Sequence, residues 1–243
     1  AGPTIARGYL ELGPERQEPL RVVVYGTGHA LLGESVALTR KRLETPFGAI
    51  PCDTAFVDAI ADRLGDAAWR GELAHRDEHS IEFQTLYFER RLGDRPLTLV
   101  PILCAGFHAL LDEGRGARDD TTYETLIAAV RDAERSLGGT TVHLAAVDLS
   151  HVGPRFGDPE VDERTGSEVE AKDRAALDAA QRGDGDGWYQ AIAAHEDSTR
   201  VCGWGAAYAM LRCAEPGAGR LLRYEQSREE NGSMVSIAAM VWP

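Results

Sequence analysis

Apolar residues gather in this chain as short continuous runs separated by turn residues, with helical spacing in between. Arg21–Thr27 carries three valines and a tyrosine and runs into Gly28-His29, Leu97–Leu103 reads LTLVPIL, and Thr141–Val147 lies between Gly138-Gly139 and Gly153-Pro154. Runs of this length, rich in β-branched residues, predict strands buried in a sheet. Between them, Phe56, Val57, Ile60 and Leu64 mark the apolar face of a helix starting at Asp53-Thr54. Ile81, Phe88 and Leu92 mark a second helix that opens at Asp77, and Tyr123 to Leu137 predicts a third. Residues 160–195 predict a mostly solvated helical stretch broken at Gly183–Gly187, and an amphipathic helix follows Cys202 to about Arg212. Pro3 to Leu12 predicts a short helix, Ala37–Gly48 an extended segment and turn, and residues 112–120 a charged loop. Arg220–Tyr224 and Met234–Val241 predict two closing strands joined by Ser227–Gly232. The alternation predicts an α/β fold, a mixed and largely buried β-sheet flanked by helices, as one domain over residues 1–243.

Composition narrows the function classes. With 43% hydrophobic residues in 243, a substantial core is available. A net charge of −13 argues against a general attraction to nucleic acid or an anionic membrane. No apolar run approaches the ~20 residues that span a bilayer. Cys52, Cys104, Cys202 and Cys213 form no CxxC pair and no signal-peptide pattern is present, which predicts a cytoplasmic protein with reduced thiols. The acidic glycine run at Gly183–Gly187 lacks the ligand series of a calcium loop and predicts a turn.

Chemistry-bearing side chains fall at element ends. His29 follows a glycine-rich turn, His79 sits in the first turn of its helix, and Asp148, Ser150 and His151 crowd where an apolar run stops. Cys202 precedes a helix, where the dipole favours a thiolate. In open α/β sheets ligands bind beyond the carboxyl ends of the strands. Imidazole and thiolate together suit zinc, iron or copper rather than calcium or magnesium. Each residue also has a plainer reading: a structural histidine, an acidic first turn serving the helix dipole, a capping aspartate, a cysteine that only packs.

The segments GTGHALLG, ETPFG, DEHSIEFQ, VPILCAG, AVDLSHVGPRFGD, VCGWGAAYAML and YEQSREENGSMVSIAA, in this order from about residue 21 to the C-terminus, resemble the Memo family, also called AmmeMemoRadiSam system protein B. The resemblance implies a fold similar to class III extradiol dioxygenases, with a single metal in a cleft. It implies that His29 and Cys202 ligate that metal, and that Asp148, His151 and His79 line the same pocket. The family's other histidine ligand lies in an upstream Pro-His motif that has no counterpart here, and the resemblance reads Ala1 as falling just after it. The expected function is a single-metal redox protein, iron or copper in preference to zinc, acting on an unknown small substrate. In it His151 serves as general acid/base, Asp148 orients or charge-stabilises it, and His79 hydrogen-bonds the bound ligand. A thiolate ligand donates more charge than the carboxylate of true extradiol enzymes, so simple oxidation is expected over ring cleavage. Two rivals stand beside this: a non-catalytic adaptor binding metal or peptide, and a zinc-dependent hydrolase. Expected partners are a small-molecule or peptide ligand in the cleft and a second copy in a homodimer, with neither nucleic acid nor membrane.

Overall fold

A computed structural model describes residues 2–12, 18–93 and 95–243. In chain order the elements are α1 (Gly2–Tyr9), β1 (Leu20–Thr27), β2 (Val36–Leu38), β3 (Leu43–Thr45), β4 (Gly48–Ile50), α2 (Thr54–Leu64), α3 (His79–Leu92), β5 (Leu97–Cys104), α4 (His108–Asp112), α5 (Thr121–Leu137), β6 (Thr140–Ala146), β7 (His151–Val152), α6 (Glu163–Gln181), α7 (Gly185–Ala193), α8 (Trp204–Ala214), β8 (Arg220–Arg228) and β9 (Met234–Val241). The fold is α/β, with a central mixed sheet flanked by helices.

The three apolar runs become the heart of that sheet, ordered β2-β5-β1-β6. Strand β1 pairs parallel with β5 on one side and with β6 on the other, and β2 closes the far edge antiparallel to β5. Successive side chains of a strand point to opposite faces, and here both faces are covered. Val23 and Tyr25 join a cluster that includes Phe56, Ile60, Leu126 and Trp204. Val22 and Val24 join another with Tyr9, Ile81 and Phe88. A strand buried on both faces reads as a continuous apolar run, which is why β1 and β5 stand out in the sequence.

Two elements depart from expectation. Strand β6 is only half-buried over most of its length, because it sits at the sheet edge with β1 as its neighbour. Helix α8 is not amphipathic: Arg212 and Ala214 alone escape full burial. It lies against β1, β5 and β6 on one side and against α5 and α7 on the other. Its glycines and alanines permit that close seating.

The chain leaves β6 and at once enters a second, antiparallel sheet ordered β7-β9-β8. Leu149 N–H donates to the Ser236 carbonyl, Ser236 N–H donates to the Ser150 carbonyl, and His151 pairs with Val235. Residues 147–151 therefore bridge two sheets, just past the carboxyl end of a parallel strand. No helix among the described residues is long and apolar enough to cross a membrane.

Candidate functional site

Five separate stretches converge beyond the carboxyl ends of β1 and β6. His29, His79, Asp148, His151 and Cys202, together with Arg155, Phe156, Arg200 and Val235, line one cleft of about 490 Å³. The structure thus brings all five residues singled out from the sequence into a single place.

His29 arrives there because β1 ends against the start of α3. A Cβ on Gly26 would stand 2.5 Å from Ile81 Cγ1 and 2.6 Å from Ser80 Oγ, so only glycine lets the strand and the helix N-terminus touch. Glu78 caps α3 by accepting the Ser80 N–H at 3.0 Å. The same carboxylate accepts the His29 backbone N–H at 3.1 Å and faces His29 Nδ1 at 2.9 Å. Glu78 is nearly buried, with 3% of its side chain exposed. A carboxylate can only accept, so Nδ1 carries the proton and Nε2 is left for the cleft. The His79 ring stacks on His29 at 5.3 Å, and its edge meets Phe83.

The Cys202 thiol, as the larger influence, and the Glu78 carboxylate raise the His29 imidazole to about 10. Burial pushes the Glu78 carboxyl up, but hydrogen bonds from the His29 ring and from the Ser80 and His29 N–H groups outweigh it and hold it at about 2. His29 and Glu78 therefore form an ion pair across the neutral range, and Cys202 lines the same cleft.

Cys202 reaches the cleft because the N-terminus of α8 abuts the end of β6. A Cβ on Gly203 would collide with Val147 and stand 2.8 Å from the Asp148 carbonyl oxygen. The thiol itself lies 3.9 Å from that oxygen. Ligand atoms of Asp148, His151 and Cys202 lie within 4.8 Å of one another, as do those of His29, Glu78 and His79. Nitrogen, sulfur and carboxylate donors of this kind fit a transition metal, with His29 in one group and Cys202 in the other.

His151 is held differently. Its Nδ1 faces the carbonyl oxygens of Leu149 at 2.9 Å and Arg200 at 3.1 Å, and carbonyls only accept. The proton therefore sits on Nδ1, and in the neutral ring Nε2 is a free base. Asp148, expected to orient or charge-stabilise this ring, makes no hydrogen bond to its Nδ1. Its carboxylate lies instead within reach of the ligand atoms of His151 and Cys202.

The sequence reading gave no role to Arg200 and Arg155 in the cleft, or to Glu78 behind His29. Arg200 donates to both oxygens of Asp158 at 2.8 Å and to the His151 carbonyl at 3.2 Å, from a backbone with φ of 55°. Arg155 pairs with Glu229 at 2.7 Å. Nothing local marks either arginine in the sequence. Glu78 was visible inside DEHSIE, but as a first-turn acid serving the dipole. Arg40, Lys41 and Arg42, three consecutive basic residues, do not line the cleft.

Comparison with known proteins gives the family. The profile of the family described as Memo-like protein matches residues 1–241. A MEMO1 family protein of Methanosarcina acetivorans is 28% identical over 218 residues, covering 88% of this chain and 71% of its own. One from Methanococcoides burtonii is 29% identical over 246 residues, covering 99% and 81%. One from Thermus thermophilus is 26% identical over 211 residues, covering 87% and 58%. The chain belongs to the Memo family.

Proposed function

We propose that the protein is a single-metal oxidoreductase acting on a small substrate, with His29 and Cys202 as ligands of one transition metal ion, iron or copper in preference to zinc. The observation that carries the reading is the convergence of His29 and Cys202 on one cleft, with the Glu78 carboxylate behind the imidazole. A ligating histidine whose other nitrogen is held by a carboxylate is the usual support of a metal site. A bound ion would supply a Lewis-acidic, redox-capable centre.

The remaining roles belong to the chain. His151 offers Nε2 as a proton acceptor, its orientation set by two carbonyls. Asp148 places a carboxylate beside it and can stabilise the charged ring. His79 lies exposed beside His29 and offers a hydrogen bond to a ligand entering the cleft. Phe156, edge-on to His151 at 5.2 Å, shields one side from water. Four free thiols support a cytoplasmic setting.

A second reading, a cleft that binds an anionic small molecule or peptide without turnover, draws on Arg155 and Arg200 at its rim. Both guanidiniums are already paired with carboxylates, which leaves little free charge for an incoming anion.

Elemental analysis of the purified full-length protein separates the readings. Iron or copper near one equivalent, lost in Cys202→Ser and His29→Ala while the fold persists, is the expected result. Zinc would point to hydrolysis, and metal retained in both variants would refute the ligand assignment.

A further inference from the structure

Beneath the cleft lies a polar network built around one buried carboxylate. Asp173, on α6, is 2% exposed. Its Oδ1 accepts from Ser150 Oγ at 2.6 Å and its Oδ2 from Tyr224 Oη at 2.8 Å. Ser150 Oγ lies 2.8 Å from Thr199 Oγ1. Ser150 and Thr199 are themselves buried. A hydroxyl has one proton, and the carboxylate can only accept. Ser150 therefore gives its proton to Asp173, and Thr199 must donate to Ser150. One carboxylate fixes the direction of the whole chain: Thr199 to Ser150 to Asp173, with Tyr224 donating from the opposite side. Burial pushes the Asp173 carboxyl up, and the hydroxyls of Ser150, Ser236 and Tyr224 oppose it.

This network touches both halves of the site. Ser150 stands between Asp148 and His151, and its backbone N–H is fixed by Ser236 Oγ at 2.9 Å. Thr199 opens the stretch that carries Arg200 and Cys202, and its carbonyl accepts the His151 N–H at 2.7 Å. Of the links between the two stretches, the Ser150–Thr199 bond is the one that joins them through buried side chains, and it depends on Asp173. A lone buried carboxylate is costly, and apolar packing would serve stability as well or better. Its retention is explained by what it orders.

We propose that Asp173, acting through Ser150 and Thr199, is a positioning residue that sets how the Asp148–His151 segment stands relative to Cys202. The proposal rests on the metal reading where it concerns affinity, and on the geometry alone where it concerns the thiol.

The test compares wild type, Asp173→Asn, Thr199→Val, Thr199→Ser and Cys202→Ser. Thr199→Val removes a single hydroxyl and keeps the volume, so it serves if Asp173→Asn fails to fold. Two readouts are taken well below the melting temperature: cobalt(II) affinity from absorption titration, and the alkylation rate of Cys202 resolved from the other cysteines by peptide mass spectrometry. We expect roughly tenfold weaker cobalt binding and a several-fold change in alkylation rate in Thr199→Val and in folded Asp173→Asn, with Thr199→Ser close to wild type. Unchanged alkylation in both variants overturns the proposal, as does a change that Thr199→Ser fails to reverse. If wild type and Cys202→Ser bind cobalt alike, the metal reading fails, and the alkylation rates still decide whether Asp173 positions the thiol.

Discussion

Replacing Glu78 by Gln removes one charge and almost no volume, so its consequences can be worked out from the contacts. The carboxylate takes three N–H donors: the Ser80 and His29 backbone groups and His29 Nδ1. Glutamine offers one oxygen, and its NH2 group would face one of those donors. A hydrogen bond to a charged group contributes about 1.5–3 kcal/mol, and a helix cap about 1 kcal/mol, part of which the remaining oxygen keeps. His29 is half-exposed, which screens the ionic share. A net loss of about 2 kcal/mol is expected, a fall of roughly 4–8 °C in melting temperature for a chain of this size. The pH dependence is more diagnostic. Glu78 is held at about 2 against an ordinary 4.5, so its stabilisation is present above 4.5 and is lost as pH falls toward 2. His29 is raised from 6.5 to about 10, so its stabilisation is full below 6.5 and is lost as pH rises toward 10. The gap between wild type and variant should be widest between pH 4.5 and 6.5 and should shrink on either side. Melting curves of metal-free protein by circular dichroism measure it. A gap equal at pH 5.5 and 9.5 would falsify the pairing.

Other outcomes follow from the same geometry. Metal affinity should climb with pH between 7 and 9, by up to about tenfold per unit for each proton displaced, because the ion must displace the His29 proton; calorimetric titrations giving a flat profile would contradict this. Cys202→Ser should keep the metal-free protein folded, with a melting temperature lowered by no more than a few degrees because the hydroxyl takes the thiol's place beside the Asp148 carbonyl, yet should abolish the stabilisation that added metal gives wild type. His151→Ala should retain the metal and lose any turnover once a substrate is found; loss of metal in that variant would make His151 a ligand instead. Gly203→Ala should cost about 2 kcal/mol or more by forcing α8 away from Val147 and Asp148, seen as a drop of roughly 5 °C or more.

Much of the scaffold was legible because burial on two faces leaves a continuous apolar signature. Strands β1 and β5, the helix opening at Asp53 and the helix ending at Leu92 all fall where the pattern put them. The degree of burial was less legible. Nothing in Thr141–Val147 says that its strand lies at the edge of the sheet, because edge position depends on strand order and not on local composition. Helix α8 was misread for a related reason. Gly203, Gly205, Ala206, Ala207 and Ala209 score as weakly apolar, yet small residues are what a helix needs to sit between a sheet and two other helices. Asp173 was invisible altogether, a charged residue in a stretch that reads as solvated surface. Its burial comes from Ser150, Thr199 and Tyr224, which are remote in sequence.

The two cleft histidines show how far residue type alone carries a functional reading, and what must be added. Both His29 and His151 commit Nδ1 to the fold and turn Nε2 to the cleft, so residue type by itself does not rank them as ligand or proton carrier. Their partners do. His29 leans on a carboxylate, which strengthens the other nitrogen as a donor and balances the charge of a cation held there. His151 leans on two neutral carbonyls, which fix its direction while adding no compensating charge. The first environment suits holding an ion beside a thiol, and the second suits taking up and releasing a proton. Under the proposed function, the division of labour comes from Glu78 on one side and from the peptide groups of Leu149 and Arg200 on the other, none of which would carry the chemistry itself.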